Sequence, residues 1–225
     1  YKRQFYTYIK NEFLQVYNRT MLSSKRPFLS ILLILVSINV STNSLNPHKY
    51  IEVNAQKMVL ILRNENHLFK TQPKVFKNKI KVIFEPMIDF NRVSASVMGK
   101  SSYLNASSEQ RELFISVFKE SLLDTYAETL AQWNDAIIET DHGYSGTGGK
   151  IISVRQYLKT SNEKYPIIYK LRKYKDGSHK IVNIIINGIN LGQTFHNQFQ
   201  SLALEFDNDI DLIILKWQSD FFADG

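Results

Sequence analysis

The sequence predicts an α+β fold, with helices gathered on one face of a small mixed or antiparallel sheet of about four strands. Three observations carry this. From Ser107 to Ala127 and on to Leu130, apolar residues recur every three or four positions, which places them on one helix face. After Trp133 the helical period gives way to short segments rich in β-branched residues and tyrosine, separated by turn residues. Helical spacing then returns from Leu191 to the end.

The first 44 residues read as a leader. Met21-Leu22-Ser23-Ser24-Lys25-Arg26-Pro27 is a basic n-region, Phe28 to Val40 an apolar h-region, and Ser41-Thr42-Asn43-Ser44 a c-region of mostly small residues. The apolar run of 13 residues is interrupted by Ser30, Ser37 and Asn39. It falls short of the roughly 20 residues that span a bilayer. A signal peptide starting at Met21, with Tyr1–Thr20 as upstream sequence, is therefore expected; the competing reading is an uncleaved anchor. The chain carries +7 overall, but residues 1–44 hold six Lys/Arg against one Glu, and the remainder holds 22 against 20. The basic character belongs to the leader, so no nucleic-acid partner is expected. Residues 45–225 suit a single domain with one core. The absence of cysteine excludes disulfides, thiolate chemistry and Cys-based metal sites.

Element by element, 46–64 reads as a helix with Pro47 near its start, and Val75–Met87 as a second. Asp89 is placed to cap a third, with Gly99 at its exit. Ser107 and Gln110 have the spacing of a capping box for the long helix. Strands are expected at 136–140, 151–159, 165–174 and 180–186, with turns at Gly143-Tyr144-Ser145-Gly146 and Lys175-Asp176-Gly177-Ser178. Alternation puts Ile167, Tyr169 and Leu171 on one face. In the last strand it puts Val182, Ile184 and Ile186 opposite Ile181 and Ile185. Two helices, 191–204 and 210–218, close the chain. The clusters Lys74/Lys77/Lys79/Lys81 and Lys170/Arg172/Lys173/Lys175 read first as solvated surface, with contact to lipid phosphates or acidic partners as the alternative.

Most candidate chemistry fails on spacing. Gly143-Tyr144-Ser145-Gly146-Thr147 lacks the second glycine of a nucleophile elbow and sits between strands, so it reads as a hairpin loop. Asp207, Asp209 and Asp211 begin like a calcium loop, but Leu212 and Gln218 occupy the positions of its glycine and glutamate. The five histidines show no pair spaced for a shared metal ion. Asp89 and Tyr126 form a conceivable acid/base pair in a buried pocket. An N-cap and an apolar wall are the simpler roles.

One ordered set of motifs is informative. Pro86-Met87-Ile88-Asp89-Phe90, then Ser108-Glu109-Gln110-Arg111 leading to Tyr126-Ala127, then Gly188-Ile189-Asn190-Leu191, then Phe195-His196-Asn197-Gln198-Phe199 together resemble the toluene-tolerance family of periplasmic phospholipid carriers. The resemblance spans roughly Leu45 to Phe222. Asn190 stands in place of the usual serine, Phe195-His196 in place of Tyr-Arg, and Asn183 where aspartate is common. The resemblance implies a cone-like domain, monomeric and non-catalytic, enclosing an apolar cavity. Phospholipid would be its cargo, and no cofactor is implied. Expected wall residues are Val97, Phe114, Val117, Phe118, Tyr126, Ile167, Tyr169, Leu171, Leu191, Phe195 and Phe199. The implied partners are an outer-membrane lipoprotein–porin complex and an inner-membrane ATP-driven transporter with a ring-forming substrate-binding protein. Two alternatives stay open: a small-molecule enzyme in a similar fold, and a periplasmic adaptor whose core is filled.

Overall fold

Local capping fixes where the helices begin. The structure, a computed structural model, describes residues 46–131, 137–159 and 163–222; the leader lies outside them. Helix α1 (Pro47–Glu65) starts with Asn46 Oδ1 accepting the His48 amide at 2.9 Å. A short α2 (His67–Thr71) leads into α3 (Pro73–Phe84) and a 3₁₀ turn, Glu85–Met87. Helix α4 (Phe90–Asn105) is capped by Asp89, which accepts the Arg92 amide at 3.0 Å. The other Asp89 oxygen accepts the Tyr174 hydroxyl from the sheet. At α5 (Ser108–Ala131) both halves of the capping box form: Gln110 N–H donates to Ser107 Oγ at 3.1 Å, and Ser107 N–H to Gln110 Oε1 at 2.9 Å.

Gly99 kinks α4 instead of ending it. Its φ of 76° and ψ of 162° lie in a region open essentially to glycine alone. The kink releases carbonyls from the helix ladder, and α6 (Leu191–Glu205) supplies donors for them. His196 Nδ1–H points at Val97 O (3.1 Å) and Ser96 O (3.2 Å), and Gln200 Nε2 donates to Met98 O at 2.9 Å. A Cβ on Gly99 would sit 3.0 Å from His196 Cε1. Gly99→Ala is therefore expected to lose about 1–3 kcal/mol, read as a lower urea midpoint with an unchanged slope.

The strands β1 (Ile137–Gly148), β2 (Ile151–Lys159), β3 (Lys164–Lys173), β4 (His179–Ile186) and β5 (Ile189–Asn190) pair antiparallel in chain order. The sheet thus has five strands, one more than expected, because two residues after the β4 turn pair back. The predicted turn at Gly143–Gly146 is a bulge inside β1, where pairing jumps from Asp141↔Arg155 to Gly146↔Ser153. Asp141 Oδ1 accepts the amides of Gly143 and Tyr144, both at 3.1 Å, and Arg155 grips Oδ2 at 2.7 Å. Turn-forming residues stabilise the bulge, and the chain reverses later, at Gly149. The Asp176-Gly177 hairpin forms as expected, with Gly177 at φ 83° and Tyr174 N–H donating to Ser178 O at 2.9 Å.

A second bulge corrects the expected face of β4. Lys170 pairs with Asn183 but Leu171 with Ile181, leaving Val182 unpaired. Past that slip Ile181, Ile184 and Ile186 all turn toward the helices. Strict alternation had put Ile181 on the far face and Val182 beside Ile184.

Beyond the sheet, Asn190 Oδ1 accepts the Gln193 amide at 3.1 Å, so the asparagine does the capping work of a serine for α6. Asp209 caps α7 (Ile210–Phe222) by accepting the Asp211 and Leu212 amides at 3.0 and 3.1 Å. Helices α4, α5, α6 and α7 enclose an aromatic core of Phe114, Phe118, Phe195, Phe199 and Trp217. Edge-on contacts hold it, at 5.2 Å for Phe114–Phe199, 5.4 Å for Phe114–Trp217 and 5.3 Å for Phe118–Phe195. The indole N–H of Trp217 donates to Ser121 Oγ at 3.1 Å. Three further clusters, one of Ile51, Met87, Ile88, Val154, Leu171 and Ile181, one of Met58, Leu62, Phe76, Ile80 and Ala131, and a small one of Leu158 and Ile167, add to the apolar interior.

Candidate functional site

These clusters do not fuse. Between the sheet and the helices they leave an apolar cavity of about 210 Å³. Helix α1 walls it with Ile51, Ala55, Met58, Val59 and Leu62, and α3 with Ile80, Ile83 and Phe84. Met87, Ile88, Phe90 and Val93 follow, then Phe118 and Leu122 of α5, and Leu191 and Phe195 of α6. The sheet supplies Ile138, Leu158, Ile167, Tyr169, Ile181, Ile184 and Ile186.

Polar groups on this wall are few. Asn54 donates its amide to Tyr50 O at 2.9 Å and so remains satisfied within α1. Tyr169 lies deep in the protein, yet its side chain keeps accessible surface because that surface faces the empty space. Its hydroxyl makes no hydrogen bond among the described residues, and burial pushes its pKa well up, so it stays protonated as a donor. Charge is confined to Lys81, Glu85 and Lys119, all partly exposed. Lys119 Nζ meets Glu85 Oε1 at 2.6 Å, and Lys81 pairs with Glu120. The Lys119 hydrogen bond holds the Glu85 carboxyl below its ordinary range, and the Glu120 bond raises Lys81, so Glu85 stays ionised and Lys81 protonated at neutral pH. The Glu85 pair loses its contribution as pH falls through that lowered value.

The MlaC protein family model matches residues 52–219, nearly the whole described fold. This chain belongs to the MlaC family. Among curated relatives, the toluene tolerance protein ttg2D of Pseudomonas putida is 28% identical over 171 residues, 76% of this chain and 79% of that protein. The intermembrane phospholipid transport system binding protein MlaC of Haemophilus influenzae is 23% identical over 205 residues, covering 88% and 94%. Among solved structures, the phospholipid-binding protein from Ralstonia solanacearum, determined in complex with a phospholipid, superposes with a TM-score of 0.67. It is 20% identical, and the match covers 77% of this chain and 97% of that one. That likeness establishes the fold.

Within this MlaC-family fold the residues singled out from sequence, Tyr126 apart, divide between the cavity wall and the packed core. Phe118, Ile167, Tyr169, Leu191 and Phe195 lie on the cavity wall. Val97, Phe114, Val117 and Phe199 do not, because they are packed into the aromatic core. Leu171 is fully buried in the cluster beneath the sheet. Tyr126 falls in the stretch 123–130 of α5, outside the described side chains. Sequence reasoning passed over α1, α3 and the β4 isoleucines as wall, although their apolar spacing was visible. It put solvated surface first for Lys81, which lies on the wall, with contact to lipid phosphates or acidic partners as the alternative.

The other candidate groups have structural partners. Asp89 caps α4 and is bonded by Tyr174, while Asp209 caps α7. Among the described residues no three His, Asp or Glu side chains come together as metal ligands. Nor is any described helix long and apolar enough to cross a membrane.

Proposed function

We propose that this protein is a non-catalytic periplasmic carrier that holds a phospholipid by its acyl chains and exchanges it with membrane complexes. The observation that carries the reading is the apolar cavity, set in a chain of the MlaC family whose structural relative from Ralstonia solanacearum holds a phospholipid. Each methylene taken from water gains roughly 0.8 kcal/mol, whether it enters a bilayer or an apolar pocket. Transfer between the two is then nearly isoenergetic, which suits a shuttle better than a store. The cavity of about 210 Å³ is smaller than the roughly 300–1,000 Å³ of sites that enclose a ligand. Loading a two-chain lipid therefore parts its walls.

Gentle purification followed by native mass spectrometry tests this directly. One phospholipid per chain is expected, and protein that stays lipid-free after incubation with vesicles defeats the reading. The proposed partners are an outer-membrane lipoprotein–porin complex and an inner-membrane ATP-driven transporter with a ring-forming binding protein. Export in the proposed form removes the leader up to about Ser44. Amino-terminal sequencing of periplasmic protein decides it, and a start upstream of Phe28 favours a tethered protein.

A further inference from the structure

We propose that the charged rim of Lys81, Glu85, Lys119 and Glu120 makes the cavity select phospholipids with a zwitterionic, primary-ammonium headgroup over net-anionic ones. The inference rests on the carrier reading of the same cavity. A lipid whose chains fill the apolar space must leave its phosphate where the wall meets water, because a phosphodiester charge is costly to bury. The charged lining residues mark such an edge. Lys81 belongs to α3, Glu85 to the turn after it and Lys119 to α5, while Glu120 of α5, outside the lining, joins them through its pair with Lys81, so two ammonium and two carboxylate groups stand at this edge with no net charge.

A second, polar edge competes for the headgroup. A recess of about 320 Å³ shares Val93, Asn183 and Gly192 with the cavity wall. It carries no carboxylate or lysine, and its amide groups are taken. Asn183 Nδ2 donates to Asn190 Oδ1 at 2.9 Å, Asn183 Oδ1 accepts the Gly192 amide at 3.0 Å, and His196 Nδ1 is turned to the α4 carbonyls. A phosphate gains more at the α3–α5 edge.

There it takes a hydrogen bond from a spare N–H of Lys81 or Lys119, since each ammonium carries three donors and spends one on its carboxylate. An anionic headgroup, with nothing to offset its phosphate, brings excess negative charge to a neutral rim that already holds two carboxylates. A headgroup bearing its own –NH₃⁺ offers one of those carboxylates a further donor, and the rim keeps zero net charge. The discrimination is that of one partly exposed charge pair, about two- to fivefold.

The test loads delipidated full-length protein from vesicles of equal phosphatidylethanolamine and phosphatidylglycerol with matched chains, and counts the bound lipids by mass spectrometry. The ethanolamine lipid is expected to be enriched about two- to fivefold, and the enrichment to fade at high salt. Glu85→Gln with Glu120→Gln should shift the bound pool toward the glycerol lipid. Swapping one pair, Lys81→Glu with Glu120→Lys, should keep the wild-type preference, and Gln193→Ala in the recess should leave it untouched. Bound lipid that mirrors the vesicle ratio in the wild type, or enrichment that survives the double glutamine variant, overturns the selectivity while leaving the carrier intact. Failure to load either lipid overturns the carrier reading itself.

Discussion

Trp217→Ala is expected to lower stability by about 3–5 kcal/mol, the range for emptying a large aromatic site in a packed core. Trp217 is fully buried and touches Phe114 and Phe118 edge-on at 5.4 and 5.9 Å. Truncation removes those contacts and also takes from Ser121 Oγ the indole donor at 3.1 Å. Val117→Trp approaches the same core from the opposite direction. Val117 is buried among these rings, so added bulk has no void to enter, and overpacking costs about 1–3 kcal/mol. Urea unfolding of lipid-free protein measures both. A loss below about 1 kcal/mol for either variant would show that this core relaxes far more freely than close packing allows.

The contrast between Val117 and Phe118 explains how far the sequence could be read. The two are adjacent on α5, both apolar and both on the predicted face, yet Phe118 borders the cavity and Val117 does not. Helical period says which side of a helix leaves water. It does not say whether the far side meets atoms or space, since that depends on how neighbouring elements stand off. Signals that act within a few residues were legible: the Ser107/Gln110 box, the Asp89 cap and the Asp176-Gly177 turn all form as expected. The misreadings fall where local and tertiary signals share the same residues. Glycine and aspartate at 141–146 fit a turn or a bulge equally well, and Arg155 on the neighbouring strand decides for the bulge. The unpaired Val182 shifts β4 by one residue, which strict alternation cannot anticipate. His196, in a position where the resemblance expects arginine, serves the Gly99 kink instead. That role needs Gly99 at positive φ and a carbonyl a hundred residues away, a pairing the sequence alone gives no reason to make.

A bulky residue on the cavity wall should behave oppositely to one in the core. Ile184 projects from β4 into the cavity beside Tyr169, its cross-strand partner, and keeps accessible surface there. In Ile184→Trp the indole has empty space to enter, so no neighbour is forced off its rotamer. The added apolar surface is buried, which offsets what strain the larger ring brings; a net change within about 1.5 kcal/mol is expected. Ligand is affected differently. The void is about 210 Å³, and an indole placed across it occupies the route that an acyl chain needs. Chains already have to part these walls, so a rigid ring fixed to the sheet floor raises the cost of every further methylene admitted. The variant is therefore expected to lose most of its bound phospholipid while the thermal midpoint of the lipid-free protein stays within a few degrees of wild type. Both readouts are needed. Lost lipid with a collapsed midpoint would class Ile184 with Val117 as core, and a full lipid load with the indole in place would mean that the chains lie elsewhere.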